Sequence, residues 1–171
     1  MLTKEQIKDI QDLTNLYVSA HNTQPAQWCY KNGLWILTDD ETRKLPFADP
    51  AGKDHLISLG SSVESLNIAL SKYKYQLKNT FTQLTPTLRI EYKMQSCEVN
   101  DPLLPFLKQR KSYRGVFKKA SVDKKNQLLD RFLEDKNIIL IDSENQIQSI
   151  AEDFDKANYH FLSQKNYLSE L

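Results

Sequence analysis

Glycine is scarce in this chain, with four residues among 171. A phosphate loop of the P-loop or Rossmann type needs several glycines at fixed spacing, and neither GxGxxG nor GxxxxGK occurs. Cysteine is rarer still: Cys29 and Cys97 give no disulfide framework and match no zinc spacing, so no metal site is expected. Both thiols are expected to be small buried or half-buried side chains, and a reducing cytoplasm is the default compartment. No run approaches ~20 consecutive apolar residues, so no transmembrane helix is expected. The polar start Met1-Leu2-Thr3-Lys4-Glu5 lacks the apolar core of a signal peptide. A net charge of +1 provides no global field for nucleic acid or a membrane surface.

What remains is an ordinary globular composition, 40% hydrophobic and 26% charged, long enough to bury a genuine core. Thr3 with Gln6 reads as a capping box, and Ile7, Ile10, Leu13, Leu16 and Tyr17 follow at helical spacing, so a helix is predicted over 3–19. It should stop near Ala20, because Asn22 and Thr23 favour turns and Pro25 restricts Gln24. Asn32-Gly33 between two aromatic-rich runs predicts a hairpin. Asp39 to Gly52 is a polar connector with Pro46 and Pro50. Residues 53–74 read as a helix whose apolar face is Leu56, Leu59, Val63, Leu66, Ile68, Ala69 and Leu70. Gly60 inside it implies close approach of another backbone or a ligand.

A strand is expected over 87–94, a helix from Asn100-Asp101-Pro102 towards Gln109, and a helix over 121–134 capped by Ser121. Ile138 to Ile141 reads as a short buried strand. Residues 143–171 read as helical, with Ile147, Ile150, Phe154 and Phe161 on one side. The chain end reads as abrupt, that of a truncated product. Mixed elements without regular βαβ alternation predict the α+β class.

Two segments carry the chemistry. Lys108, Arg110, Lys111, Arg114, Lys118 and Lys119 fall between Asp101 and Asp123 with no acidic residue between them. Arginine offers planar paired donors that fit phosphate oxygens, and Ser112 adds a neutral donor. The same pattern suits a solvated basic surface with Tyr113 and Phe117 as core anchors. A nucleic-acid interface needs a broader patch with stacking platforms, so no nucleic-acid partner is expected. The other segment is the turn His21-Asn22-Thr23-Gln24-Pro25. Its amides and hydroxyl suit the polar edge of a flavin; they equally suit a helix-terminal turn whose side chains are satisfied locally. His21, His55 and His160 show no paired spacing, and no catalytic residue is identified. Asp39 and Asp40 near Thr42 are read as capping, turn and salt-link residues, because a cation needs several convergent oxygens.

His21-Asn22-Thr23-Gln24-Pro25 after a first helix resembles the turn of the nitroreductase family, in particular the fused two-lobed branch, where it reads HNTQPW. The likeness continues through the hairpin, Thr42-Arg43-x-Leu45-Pro46, Asp49-Pro50-Ala51-Gly52 and Ile57-Ser58-x-Gly60. It extends to Arg110-Lys111-Ser112-Tyr113-Arg114, similar to the family's R-R-[ST]-x-R flavin-phosphate motif, and covers about residues 3–135. The turn preceding the arginine motif is the order of the fused branch. The resemblance implies a mixed sheet flanked by helices, a first lobe over 1–98, and over 99–171 the opening of a second lobe that carries the arginine motif.

It also implies flavin mononucleotide (FMN), with Arg110, Lys111, Ser112 and Arg114 at the phosphate and Asn22, Thr23, Gln24 and Pro25 facing the flavin. The implied reaction is that of an oxidoreductase: hydride from NAD(P)H to flavin, then electrons to a nitroaromatic or quinone-like acceptor. A homodimer is implied, because family interfaces are extensive and helical. Two departures matter. Ala26 stands where the family has Trp, with Trp28 two places on, and fused members are about twice this length by resemblance. A flavin-sequestering protein or an inactive truncated homologue is therefore the alternative.

Overall fold

The computed structural model describes residues 2–118, 120–132, 139, 141 and 143–170. The chain divides into two compact units, Met1–Lys111 with Glu170–Leu171, and Ser112–Ser169. The class is α+β: among the described residues there are five α-helices and a four-stranded sheet.

The first unit opens with α1 (Lys4–Thr14), and the expected capping box is present. Thr3 Oγ1 accepts the Gln6 amide at 3.2 Å, and Gln6 Oε1 accepts the Thr3 amide at 2.9 Å. The helix is shorter than its periodicity predicts. Thr14 Oγ1 donates to the Ile10 carbonyl at 2.7 Å, and Asn15 caps the end. Beyond it, the Tyr17 hydroxyl is held by the Ala26 amide at 3.1 Å, which takes the chain off the helical path.

The hairpin forms as expected. β1 (Ala26–Lys31) and β2 (Leu34–Asp39) pair antiparallel across Asn32 and Gly33. Both turn residues have positive φ, +52° and +79°, as a type I′ turn requires. β3 (Tyr75–Gln83) and β4 (Arg89–Ser96) complete the sheet in the order β1-β2-β4-β3. β4 was foreseen and β3 was not. Every described pairing is antiparallel, which corrects the mixed sheet that the family resemblance implied.

α2 (Lys53–Ser71) packs against α1, β1 and β3. The core joins Ile10 and Leu13 of α1, Trp35 and Leu37 of β2, Leu59, Leu66 and Leu70 of α2, and Tyr92 of β4. Three details of α2 differ from the sequence reading. Leu56 is 60% exposed although it falls on the predicted apolar face. Ser58, Ser62 and Ser65 are buried in its place. Gly60 is exposed, and a Cβ built there meets nothing within 4 Å, so no close approach explains it.

After β4, the helix expected from Asn100 is only a turn with a 3-10 segment at Leu104–Phe106. Leu107 from this stretch reaches the core. Cys97 is half-buried but Cys29 is exposed, contrary to expectation, because it lies on the sheet face opposite the helices.

In the second unit, α3 (Val122–Phe132) starts after Ser121 as predicted; positions 133–134 of that helix lie outside the described residues. Of the strand expected over 138–141, residues 138 and 140 lie outside the described residues, and Ile139 is 86% exposed rather than buried. α4 (Glu144–Leu162) is capped by Ser143 and separated from α5 (Lys165–Leu168) at Ser163-Gln164, so the predicted single helix is two. Ile147, Ile150, Phe154 and Phe161 do share one helical side, and all four are exposed. No described helix is long and apolar enough to cross a membrane.

Candidate functional site

Between Tyr17 and Ala26 the chain turns through left-handed backbone. His21, Asn22 and Gln24 take φ of +47°, +58° and +48°. Left-handed backbone is tolerated by Asn and His more readily than by Gln, and each such residue costs of order 1–3 kcal/mol. Such strain persists only where the surroundings over-determine the backbone, and here they do. Ser58 Oγ of α2 accepts the Ala20 amide at 3.0 Å while donating to the Asp54 carbonyl at 2.7 Å. Ser19 Oγ accepts the Gln24 amide at 3.0 Å. Arg43 Nη1 donates to the Thr23 carbonyl at 2.7 Å, and its Nε pairs with Asp40 at 3.1 Å. The Asp40 amide donates to the Pro25 carbonyl at 2.9 Å.

Asp40 is thus the pivot of the connector. Its carboxylate accepts from the Thr42 hydroxyl at 2.6 Å, the Thr42 amide, Arg43 Nε and Gln27 Nε2. These bonds, the Thr42 hydroxyl above all, hold its pKa below the usual carboxylate value. The capping and salt-link reading is supported for Asp40. Asp39 does something the sequence did not signal: its carboxylate meets His55 Nε2 at 2.7 Å, with side-chain exposures of 7% and 6%. Asp49 meanwhile accepts the Lys53 and His55 amides, both at 2.9 Å, and so fixes the start of α2.

Of the residues foreseen for flavin, Asn22, Thr23, Gln24 and Pro25 stand together in this turn with unequal freedom. Pro25 is fully buried. Thr23 Oγ1 donates to the Ala20 carbonyl at 3.0 Å, and Gln24 Nε2 to the Asn15 carbonyl at 3.1 Å. The Asn22 side chain is exposed and makes no hydrogen bond with the described residues. Arg110 comes to the same region: its Nη2 donates to the Leu16 carbonyl at 2.9 Å, across 94 residues of sequence. Lys111 is exposed at the end of the first unit. Ser112 and Arg114 belong to the second unit and are exposed. Tyr113 and Phe117 are not core anchors; they are 63% and 79% exposed, with rings 5.1 Å apart.

Sequence reasoning missed Arg43 and Ser58 as the residues that hold the turn. Their signal was present only as part of longer resembling segments. Chemically, this part of the first unit offers the exposed Asn22 carboxamide and the guanidinium groups of Arg43 and Arg110, with Lys111 exposed at the end of the unit. Among the described residues, no group of three or more His, Cys, Asp or Glu side chains converges as a metal site would require. No protein-family model matches the chain, and no curated protein matches it.

Proposed function

We propose that the chain is an FMN-binding oxidoreductase of nitroreductase type, in which the Asn22 turn faces the flavin and Arg110, Lys111, Ser112 and Arg114 serve its phosphate. The observation that supports this reading is the bond from Arg110 to the Leu16 carbonyl. It sets the first cation of the phosphate motif beside the segment leading into the strained turn, the two features on which the family resemblance rests. The donor chemistry fits the group. A free carboxamide suits the polar edge of an isoalloxazine, and exposed guanidinium and ammonium groups suit a phosphate monoester. Bound flavin supplies the redox chemistry, taking a hydride from NAD(P)H and delivering two electrons to a nitroaromatic or quinone-like acceptor. The chain's own part is to orient the flavin and to neutralise its phosphate. A homodimer belongs to the same proposal.

The test is a parallel titration with FMN and riboflavin. Arg110→Ala and Arg114→Ala should each weaken FMN by roughly tenfold or more, since a hydrogen bond to a charged group is worth ~1.5–3 kcal/mol. Riboflavin, which lacks the phosphate, should bind the variants as it binds the parent chain. Equal weakening of both ligands removes the phosphate assignment, and no binding of either removes the flavin assignment. Addition of NAD(P)H then separates turnover from storage: the visible flavin absorbance is lost in an oxidoreductase and persists in a sequestering protein.

A further inference from the structure

The run 108–119 holds six cations and no acidic residue. A net charge of +1 averages this concentration away over the whole chain, but a partner within a Debye length meets the local charge. Where the run enters the second unit, at Ser112, every residue through Lys118 is exposed. Tyr113, Val116 and Phe117 are 63%, 89% and 79% exposed. Apolar side chains scattered singly over a surface are ordinary. Three at one turn, interleaved with Arg114 and Lys118, mark an interaction surface.

The turn is locally built. The Tyr113 hydroxyl donates to the Val116 carbonyl at 3.0 Å. A Cβ added at Gly115 would lie 2.5 Å from Tyr113 Oη and 2.6 Å from its Cζ, so the phenol end rests on the glycine backbone. The Phe117 ring meets the Tyr113 ring at 5.1 Å and 73°, edge to face. The turn thus satisfies its own phenol and leaves apolar atoms exposed beside two cations.

Cations with exposed rings suit two anionic partners, a single-stranded nucleic acid and an acidic lipid surface. Bases stack on open ring faces. Here the ring pair is edge to face, Gly115 backs the phenol end of Tyr113, and the most exposed apolar side chain of the turn is Val116, which has no face to stack on. A lipid interface asks only for apolar bulk beside cations, and a small apolar anchor needs the polybasic second signal that this run carries. We propose that residues 113–118 form a peripheral docking surface for an acidic lipid bilayer, with Val116 and Phe117 entering the headgroup region and Arg114 and Lys118 meeting the lipid anions. The surface does not rest on the flavin reading, in which Tyr113, Val116, Phe117 and Lys118 have no part; Arg114, common to both, stays unaltered in the test.

The test is sedimentation of the full chain, without flavin, with vesicles of phosphatidylcholine alone or mixed with phosphatidylserine. The chain should pellet with the mixed vesicles and stay in solution with the neutral ones, and added salt should release it. Lys118→Gln should weaken the partition roughly fivefold, the worth of one cation at such a surface. Phe117→Ser should weaken it by a similar factor, and both side chains are exposed, so neither change disturbs a core. Phe117→Trp adds an exposed indole whose emission should shift to the blue on the mixed vesicles, which adsorption by charge alone does not produce. No preference for phosphatidylserine overturns the proposal, and so does a partition that Phe117→Ser leaves unchanged. If Phe117→Ser weakens binding to oligothymidylate while vesicle binding stays intact, the surface serves single strands and the lipid assignment falls. FMN binding is read separately by visible absorbance, so either proposal fails without the other.

Discussion

Replacing Gly60 with alanine should stabilise the first unit. Gly60 lies inside α2, is exposed, and has no positive φ to protect. A Cβ placed there meets no atom within 4 Å, so no steric cost is subtracted. Alanine restricts the unfolded chain and suits the helix better, which gives a gain of about 0.4–1 kcal/mol. In a unit of this size that corresponds to a rise in Tm of roughly 2–8 °C. Thermal and urea unfolding of the full chain, followed by tryptophan fluorescence, reports on this unit alone, since both tryptophans lie in it. The urea m-value should stay constant, because the surface exposed on unfolding does not change. An unchanged or lowered Tm would refute the reasoning and would mean that another group covers Gly60, as the sequence reading had it. Repeating the melt with FMN sharpens the test. A variant stabilised when free, but stabilised less by added FMN than the parent chain, would place Gly60 against the flavin.

Asp39→Ala should cost about 1–3 kcal/mol in urea unfolding, because it leaves the buried His55 ring nitrogen without its 2.7 Å partner; no measurable loss would show that the pair is solvated rather than buried. The Asp9–Lys72 pair predicts a dependence on acid. The hydrogen bond from Lys72 holds the Asp9 pKa below its ordinary value, against a smaller upward push from burial. Its contribution is therefore present above the unfolded value near pH ~4 and is lost as pH falls through the lower folded value. Asp9→Asn should thus be less stable than the parent chain at neutral pH, by no more than about 1 kcal/mol for so exposed a pair. The difference should close on acidification, and one that grew instead would reverse the assigned direction.

The parts of the fold legible in the sequence are those set by neighbours in the chain. Thr3 with Gln6 and Asn32 with Gly33 each specify a local geometry, and both form. The parts that were not legible depend on distant partners. β3 starts with Tyr75 and Leu77 on one face but shifts register between Asn79 and Phe81, so its alternation breaks where a reader would look for it. α1 keeps helical spacing through Leu16 and Tyr17, yet the Ala26 amide captures the Tyr17 hydroxyl and the helix stops at Thr14. On α2 the serines are inside and Leu56 is outside, an inversion that hydropathy cannot reveal. Small side chains are needed where Ser58 meets the turn backbone, and Ser58 satisfies its hydroxyl in both directions there.

The same division runs through the site. That residues 21–25 form a polar turn was readable; which of their side chains stay free was not. Thr23 and Gln24 bond back to the chain, and Asn22 alone keeps its carboxamide for solvent. The turn also differs from the hairpin in how it meets its conformational demand. At Gly33 the hairpin uses glycine for left-handed backbone. In the turn, three left-handed demands within four residues fall on His21, Asn22 and Gln24, none of them glycine, and long-range bonds from Arg43 and Ser58 offset the strain. A segment whose only task was to reverse the chain would gain stability from glycine at these positions. Side chains are kept there instead, with two other elements recruited to hold them, and this is what motivates the proposal that the turn is a binding surface. In the proposed flavin site the group presented is the Asn22 carboxamide.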